Sequence, residues 1–210
     1  PDPALMAIFQ EPIVAPGMRV GLFGGSFNPA HDGHRLVALE CLKRLALDKV
    51  WVMVSPGNPL KDHTELAPLE ERLAQTVKLM DDPRLEVTGF EAAHHFAYTY
   101  ETIRYLTEAH AGTKFVWIMG ADSLQTFDQW EHWEEIAKLV PIAVYARPGA
   151  LFRATRSPAA LALDYARLPE DKATGLADSP PPAWVYLRGI MSNASSTAIR
   201  KSLARAASRV

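Results

Sequence analysis

The chain reads as an α/β protein built on a doubly wound, mainly parallel sheet with helices on both faces. Short apolar runs rich in Val, Ile, Trp and Met alternate with stretches of helical periodicity from Arg19 onward, the order that a parallel sheet with crossover helices imposes. Two of these runs, Met18 to Phe23 and Lys114 to Met119, end in glycine-containing turns. Open parallel sheets bind ligands at such carboxyl ends, near the point where strand order reverses. The length of 210 residues, 48% of them hydrophobic, suits one sizeable core and is short for two. A Rossmann-like arrangement is the expectation.

Taken in order, residues 1–17 are read as an N-terminal extension and residues 18–210 as one domain. The first strand, Met18 to Phe23, leads to Leu36, Val37, Leu39, Leu42 and Leu45 at helical spacing. Cys41 falls inside that pattern as a core residue. As the single cysteine, it excludes an internal disulfide and argues against a thiolate zinc site. Val50 to Val54 reads as a buried strand and Pro56 to Pro59 as a loop; a helix follows over Leu69 to Met80, and a short strand over Leu85 to Thr88. Tyr98 to His110 is helical in pattern. After Met119, short helices are expected over Ser123 to Phe127 and Trp130 to Lys138, and Pro141 to Tyr145 and Trp184 to Leu187 resume the sheet. Between those two strands, Arg147 to Pro182 is rich in Ala, Pro and Arg. It is read as an excursion at about 147–182 with one short helix near Pro158 to Asp164. A last helix opens at Ser195 or Ser196, either of which can cap it.

Chemistry concentrates in Gly21-Leu22-Phe23-Gly24-Gly25-Ser26-Phe27-Asn28-Pro29-Ala30-His31-Asp32-Gly33-His34. Gly24 and Gly25 can adopt backbone angles closed to other residues and leave main-chain N–H groups bare to a ligand. The helix that opens near Gly33 adds its own unpaired N–H groups and the positive end of its dipole, so a phosphate is the ligand this turn suits. His31 and His34 lie on neighbouring positions of one helical face and can both address one substrate. Two commoner phosphate loops do not fit. The glycines lack the spacing of the dinucleotide fingerprint, and the chain contains no Gly-Lys-Ser or Gly-Lys-Thr of a Walker A loop. The second constellation is Ser195-Ser196-Thr197-Ala198-Ile199-Arg200, which sets hydroxyls and a guanidinium at another helix start.

Several function classes are disfavoured. The formal net charge of -2 shows no basic excess for nucleic acid. No apolar run approaches the ~20 residues of a spanning helix, and Pro1 to Gly17 lacks the basic start and long apolar core of a signal peptide. A cytoplasmic location, without nucleic acid or membrane as partner, is expected. A metal-dependent hydrolase using His31 and His34 as ligands lacks matching carboxylates nearby.

The fourteen-residue string closely resembles the signature of the His-x-Gly-His nucleotidyltransferase superfamily. Its Gly-Gly-Ser-Phe-Asn-Pro run resembles the nicotinate-nucleotide adenylyltransferase branch. The Ser195 to Arg200 segment resembles the family's Ser-Ser-Thr-x-x-Arg signature, with Ala194 where isoleucine is usual. Met119-Gly120-Ala121-Asp122-Ser123 with Phe127 and Trp130, and the pair Tyr98-Thr99, resemble that branch's acceptor-binding segments. The resemblance implies transfer of AMP from ATP to nicotinate mononucleotide, with Mg²⁺ held through the ATP phosphates and no metal bound by protein side chains. It implies His31, His34 and Arg200 as catalytic residues. Gly24, Gly25, Ser26, Phe27, Lys61, Ser195, Ser196 and Thr197 would serve ATP, and Thr99, Gly120, Asp122 and Trp130 the mononucleotide. Alternatives from the same reading are nicotinamide mononucleotide or phosphopantetheine as acceptor, or a regulatory module that binds nucleotide without turnover. A homo-oligomer is compatible with all of these.

Overall fold

A computed structural model describes residues 2–57, 64–146, 151–189 and 201. The chain opens with a short helix, α1 (Pro3–Ala7), which the periodicity does not announce. Asp2 starts it by accepting from the Ala4 N–H, and Pro3 occupies the first turn. From there the strands β1 (Arg19–Gly25), β2 (Lys49–Val54) and β3 (Leu85–Thr88) step outward on one side. The strands β4 (Lys114–Gly120), β5 (Ile142–Ala146), β6 (Arg167–Leu168) and β7 (Trp184–Arg188) build the other. The order across the sheet is β3-β2-β1-β4-β5-β7-β6, and every pairing is parallel. The direction of growth therefore reverses between β1 and β4. Their carboxyl ends splay into diverging loops, which is where such a sheet opens a crevice.

The strands are apolar almost throughout because both faces are covered. On one face α2 (Asp32–Arg44) and α3 (Leu69–Leu79) lie over Val52, Ile118 and Tyr145. Cys41 is fully buried there, as the helical pattern predicts. On the other face α4 (Phe90–Ala93), α5 (Thr99–Ala109), α6 (Ala121–Thr126) and α7 (Trp133–Leu139) enclose Trp51, Phe115 and Trp117. Gly21, in the middle of β1, is needed for this fit: a Cβ there would come within 2.7 Å of Ile118 Cδ1 and 2.8 Å of Leu47 Cδ1.

Two stretches depart from the sequence expectation. α6 runs straight off β4 and tightens into a 3-10 turn over Phe127–Gln129. Trp130 is then extended, and His132 takes the left-handed conformation (φ 52°), so α7 begins only at Trp133. Helical spacing of Trp130 and Trp133 gives no sign of that break. The excursion holds more structure than one helix: α8 (Leu151–Thr155), α9 (Pro158–Ala162), 3-10 turns over Asp164–Ala166 and Glu170–Asp178, and β6. It buries Ala173, Leu176 and Ala177, and Asp178 pairs with Arg19 and Lys114 at the starts of β1 and β4. Small residues and 3-10 turns carry little periodic signal, which is why the pattern understates this segment. The helix expected from Ser195 lies outside the described residues. Among those described, no helix is long and apolar enough to cross a membrane.

Candidate active site

The crevice between β1 and β4 is a cavity lined from both strands and both faces of the sheet. Gly24 and Gly25 end β1 on its wall. Neither has a positive φ, so the expectation that they supply unusual backbone angles is corrected. What Gly24 supplies is room: a Cβ there would stand 2.9 Å from Cη2 of the Trp117 indole, whereas one on Gly25 would meet the Phe27 ring at 3.4 Å, an ordinary contact. The left-handed residue is instead Phe27 (φ 45°). Its conformation is sparsely populated for a bulky side chain, and its buried ring packs edge-on against Phe23 at 5.6 Å and His34 at 4.8 Å. Packing of the ring holds the turn in that shape.

The two histidines start α2 by capping it reciprocally. His31 Nδ1 accepts from the Gly33 N–H at 3.1 Å, and His34 Nδ1 accepts from the His31 N–H at 3.1 Å. This is a capping box made of two imidazoles. A ring nitrogen that accepts from an N–H carries no proton, so in each neutral ring the proton sits on Nε2. The rings are stacked with centroids 3.8 Å apart, and both line the cavity. Local structure has therefore fixed the tautomer: two Nε2–H donors stand at a helix N-terminus, where N–H groups and dipole already favour an anion.

The opposite wall comes from β4 and the turn after it. Gly120 caps α6 with extended backbone and no side-chain hydrogen bond, and exposed Asp122 lies in the first turn of that helix. Trp130 packs edge-on against Trp117 at 6.2 Å and Phe127 at 5.3 Å while reaching the cavity. On the sheet face that carries Trp117, Glu91 on α4 accepts from the Thr102 hydroxyl of α5 at 2.5 Å. Burial pushes the Glu91 carboxyl up to about 7, with the Thr102 hydrogen bond opposing the shift.

Of the residues singled out by sequence, Gly24, Gly25, Phe27, His31, His34, Gly120, Asp122 and Trp130 share this cavity. Ser26 and Thr99 are not on its wall. The Ser26 carbonyl accepts from Arg72 at 2.8 Å, and Thr99 opens α5 after Tyr98. Lys61, Ser195, Ser196, Thr197 and Arg200 lie outside the described residues. The cavity also recruits Trp117, Met119 and Tyr145, which the sequence presents as ordinary strand core. Their one distinguishing sign is a place near a strand's carboxyl end. Among the described residues, no group of three or more His, Cys, Asp or Glu side chains gathers as a metal site would.

Comparison with known proteins places this geometry in a family. The model of the cytidylyltransferase-like family matches residues 22–202. A probable nicotinate-nucleotide adenylyltransferase of Methylorubrum extorquens is 54% identical over 183 residues, which span 87% of this chain and 99% of that protein. Another of that name, from Mesorhizobium japonicum, is 52% identical over 185 residues, spanning 88% of this chain and 95% of the relative. The Plasmodium falciparum nicotinic acid mononucleotide adenylyltransferase complexed with NaAD superposes with a TM-score of 0.66 over 88% of this chain and 83% of its own. At 15% identity, that likeness speaks to the fold. A family model spanning most of the chain, with half-identical relatives covered almost end to end, makes this chain a member of the cytidylyltransferase-like family, among its nicotinate-nucleotide adenylyltransferases.

Proposed function

We propose that the chain transfers AMP from ATP to nicotinate mononucleotide, giving nicotinate adenine dinucleotide and pyrophosphate. The observation that carries this reading is the reciprocal cap of His31 and His34, which aligns two Nε2–H donors at a phosphate-binding helix start inside a crevice with a second, aromatic wall. The names and extent of the relatives support the substrate pair.

In this reaction an oxygen of the mononucleotide phosphate attacks the α-phosphorus of ATP. The bond from that phosphorus to the oxygen bridging the β-phosphate breaks, and pyrophosphate leaves with the electron pair. His31 and His34 donate to the non-bridging oxygens of the transferring group, where charge rearranges in the transition state. Such reactions leave the protein to position and to stabilise charge. No protein nucleophile is required, and Cys41 is unsuited to be one: burial pushes its thiol up to about 12.

The Gly24-Gly25 main chain, with Ser26 and Phe27, approaches the ATP phosphates. Lys61, Ser195, Ser196, Thr197 and Arg200 hold the β- and γ-phosphates, and Thr99, Gly120, Asp122 and Trp130 receive the mononucleotide. Mg²⁺ enters as part of MgATP, held through the ATP phosphates. Residues 18–210 act as one catalytic domain in the cytoplasm, with 1–17 as an extension.

Purified chain with MgATP and nicotinate mononucleotide should release pyrophosphate, and faster than with nicotinamide mononucleotide or phosphopantetheine in parallel reactions. ATP binding without pyrophosphate release from any acceptor would overturn the reading in favour of a regulatory module.

A further inference from the structure

Arg72 on α3 is one of the largest fully buried side chains, with 1% of its surface exposed. Its hydrogen bonds go to main-chain carbonyls. Nε donates to Ala67 at 2.8 Å, and Nη1 donates both to Ser26 at 2.8 Å and to Ser55 at 2.7 Å. Ser26 follows β1 and Ser55 follows β2, so one nitrogen joins the two strand-end turns. Burial lowers the guanidinium pKa below its ordinary value. A buried cation is costly unless its donors are satisfied, and carbonyls of neighbouring loops are what satisfy it here. Asn28 reinforces the join, donating to the Glu65 carbonyl at 2.8 Å and accepting from the Ala67 N–H at 3.1 Å.

We propose that Arg72 is a positioning residue of the phosphate site: its guanidinium locks the turn after β1 to the turn after β2 and thereby sets where the Gly24-Gly25 main chain meets the ATP phosphates. The proposal rests on the ATP reading above. It requires the planar fork of arginine: with Nη2 also donating to the Pro56 carbonyl at 3.5 Å, the guanidinium serves four carbonyls, whereas a lysine ammonium keeps the charge but has three donors on one atom. Arg72 is therefore distinct from the cavity residues, which touch substrate, and acts through Ser26 and its neighbours.

The test compares wild type with Arg72→Lys and Arg72→Met by two readouts. Amide hydrogen exchange on the ligand-free chain should accelerate by about tenfold or more over residues 24–31, with β4 and β5 protected as in wild type. In turnover, both variants should raise the KM for ATP by roughly tenfold while the KM for nicotinate mononucleotide changes by less than about twofold. If Arg72→Met does not fold, Arg72→Lys decides. Normal exchange over residues 24–31 in Arg72→Lys, or an unchanged KM for ATP, overturns the proposal; so does a rise of both KM values together. Failure of the ATP reading would appear differently, as a wild-type chain without turnover whose exchange pattern still responds to Arg72→Lys.

Discussion

The two turns that face each other across the crevice differ in how far hydrogen bonds to main chain hold them. The turn after β1 adds to the packing of the Phe27 ring a set of hydrogen bonds to main chain: His31 and His34 cap α2 through its N–H groups, and Arg72 donates to the Ser26 carbonyl. The turn after β4 has no side-chain cap at Gly120 and is shaped by aromatic edges, with Trp117, Phe127 and Trp130 packed on one another. Hydrogen bonds to main chain fix directions, which suits donors that must meet charge at one place. Apolar contact fixes volume and leaves orientation to the ligand, which suits recognition of a ring. On the function proposed above, the first turn is fitted to the chemistry and the second to the acceptor.

The contrast breaks most visibly in kinetics. His34→Ala removes half of the capping box and, in the proposed reaction, a transition-state donor, and should lower kcat by about two orders of magnitude. Trp130→Ala should act chiefly on binding, raising the KM for nicotinate mononucleotide by roughly tenfold with a much smaller change in kcat. Steady-state kinetics on both variants checks the split. Equal losses in kcat would mean that the two turns are not divided in this way.

A second pair tests the same division through stability. A Cβ at Gly24 would stand 2.9 Å from the Trp117 indole, whereas one at Gly120 would meet nothing within 4 Å. Trp117 is buried and packed against Trp130, so it cannot swing aside alone. Gly24→Ala should cost about 1–3 kcal/mol by overpacking, and Gly120→Ala should stay within about 0.5 kcal/mol of wild type. Urea unfolding of the two variants measures the difference. Equal costs would show that the β1 turn is no more tightly fitted than its partner.

Legibility in the sequence follows the same division. The strands and long helices are written in apolar periodicity, so the doubly wound sheet and the pairing of Gly24-Gly25 with Gly120-Asp122 could be read from pattern alone. The histidines were readable as a pair on one face. Their capping of each other was not, since an imidazole at an N-cap is uncommon and its acceptor role appears only with coordinates. The aromatic wall was half hidden. Trp117 and Tyr145 look like any strand residue, because what recruits them is the height at which β4 and β5 end. Arg72 is not singled out by the sequence, where it lies in a polar helix start, Leu69-Glu70-Glu71-Arg72; only the convergence of loops distant in sequence turns it inward.

A last expected effect concerns the proton of a carboxyl between α4 and α5. Glu91 joins α4 to α5 through a carboxyl, accepting from the Thr102 hydroxyl. Its folded-state value of about 7 lies above the ordinary 4.5, so the folded chain keeps this proton over a range in which the unfolded chain has lost it. The stability gained by holding the proton is present in full below pH 4.5 and is lost as pH rises through about 7. Glu91→Gln keeps a carbonyl oxygen to accept from the Thr102 hydroxyl but has nothing to titrate. Its unfolding free energy should therefore fall less than that of wild type between about pH 5 and about pH 8, leaving the variant the more stable chain at the alkaline end. Urea unfolding across that range checks the slope. Parallel curves for the two chains would place the Glu91 proton elsewhere and remove the pH sensitivity of the α4–α5 contact.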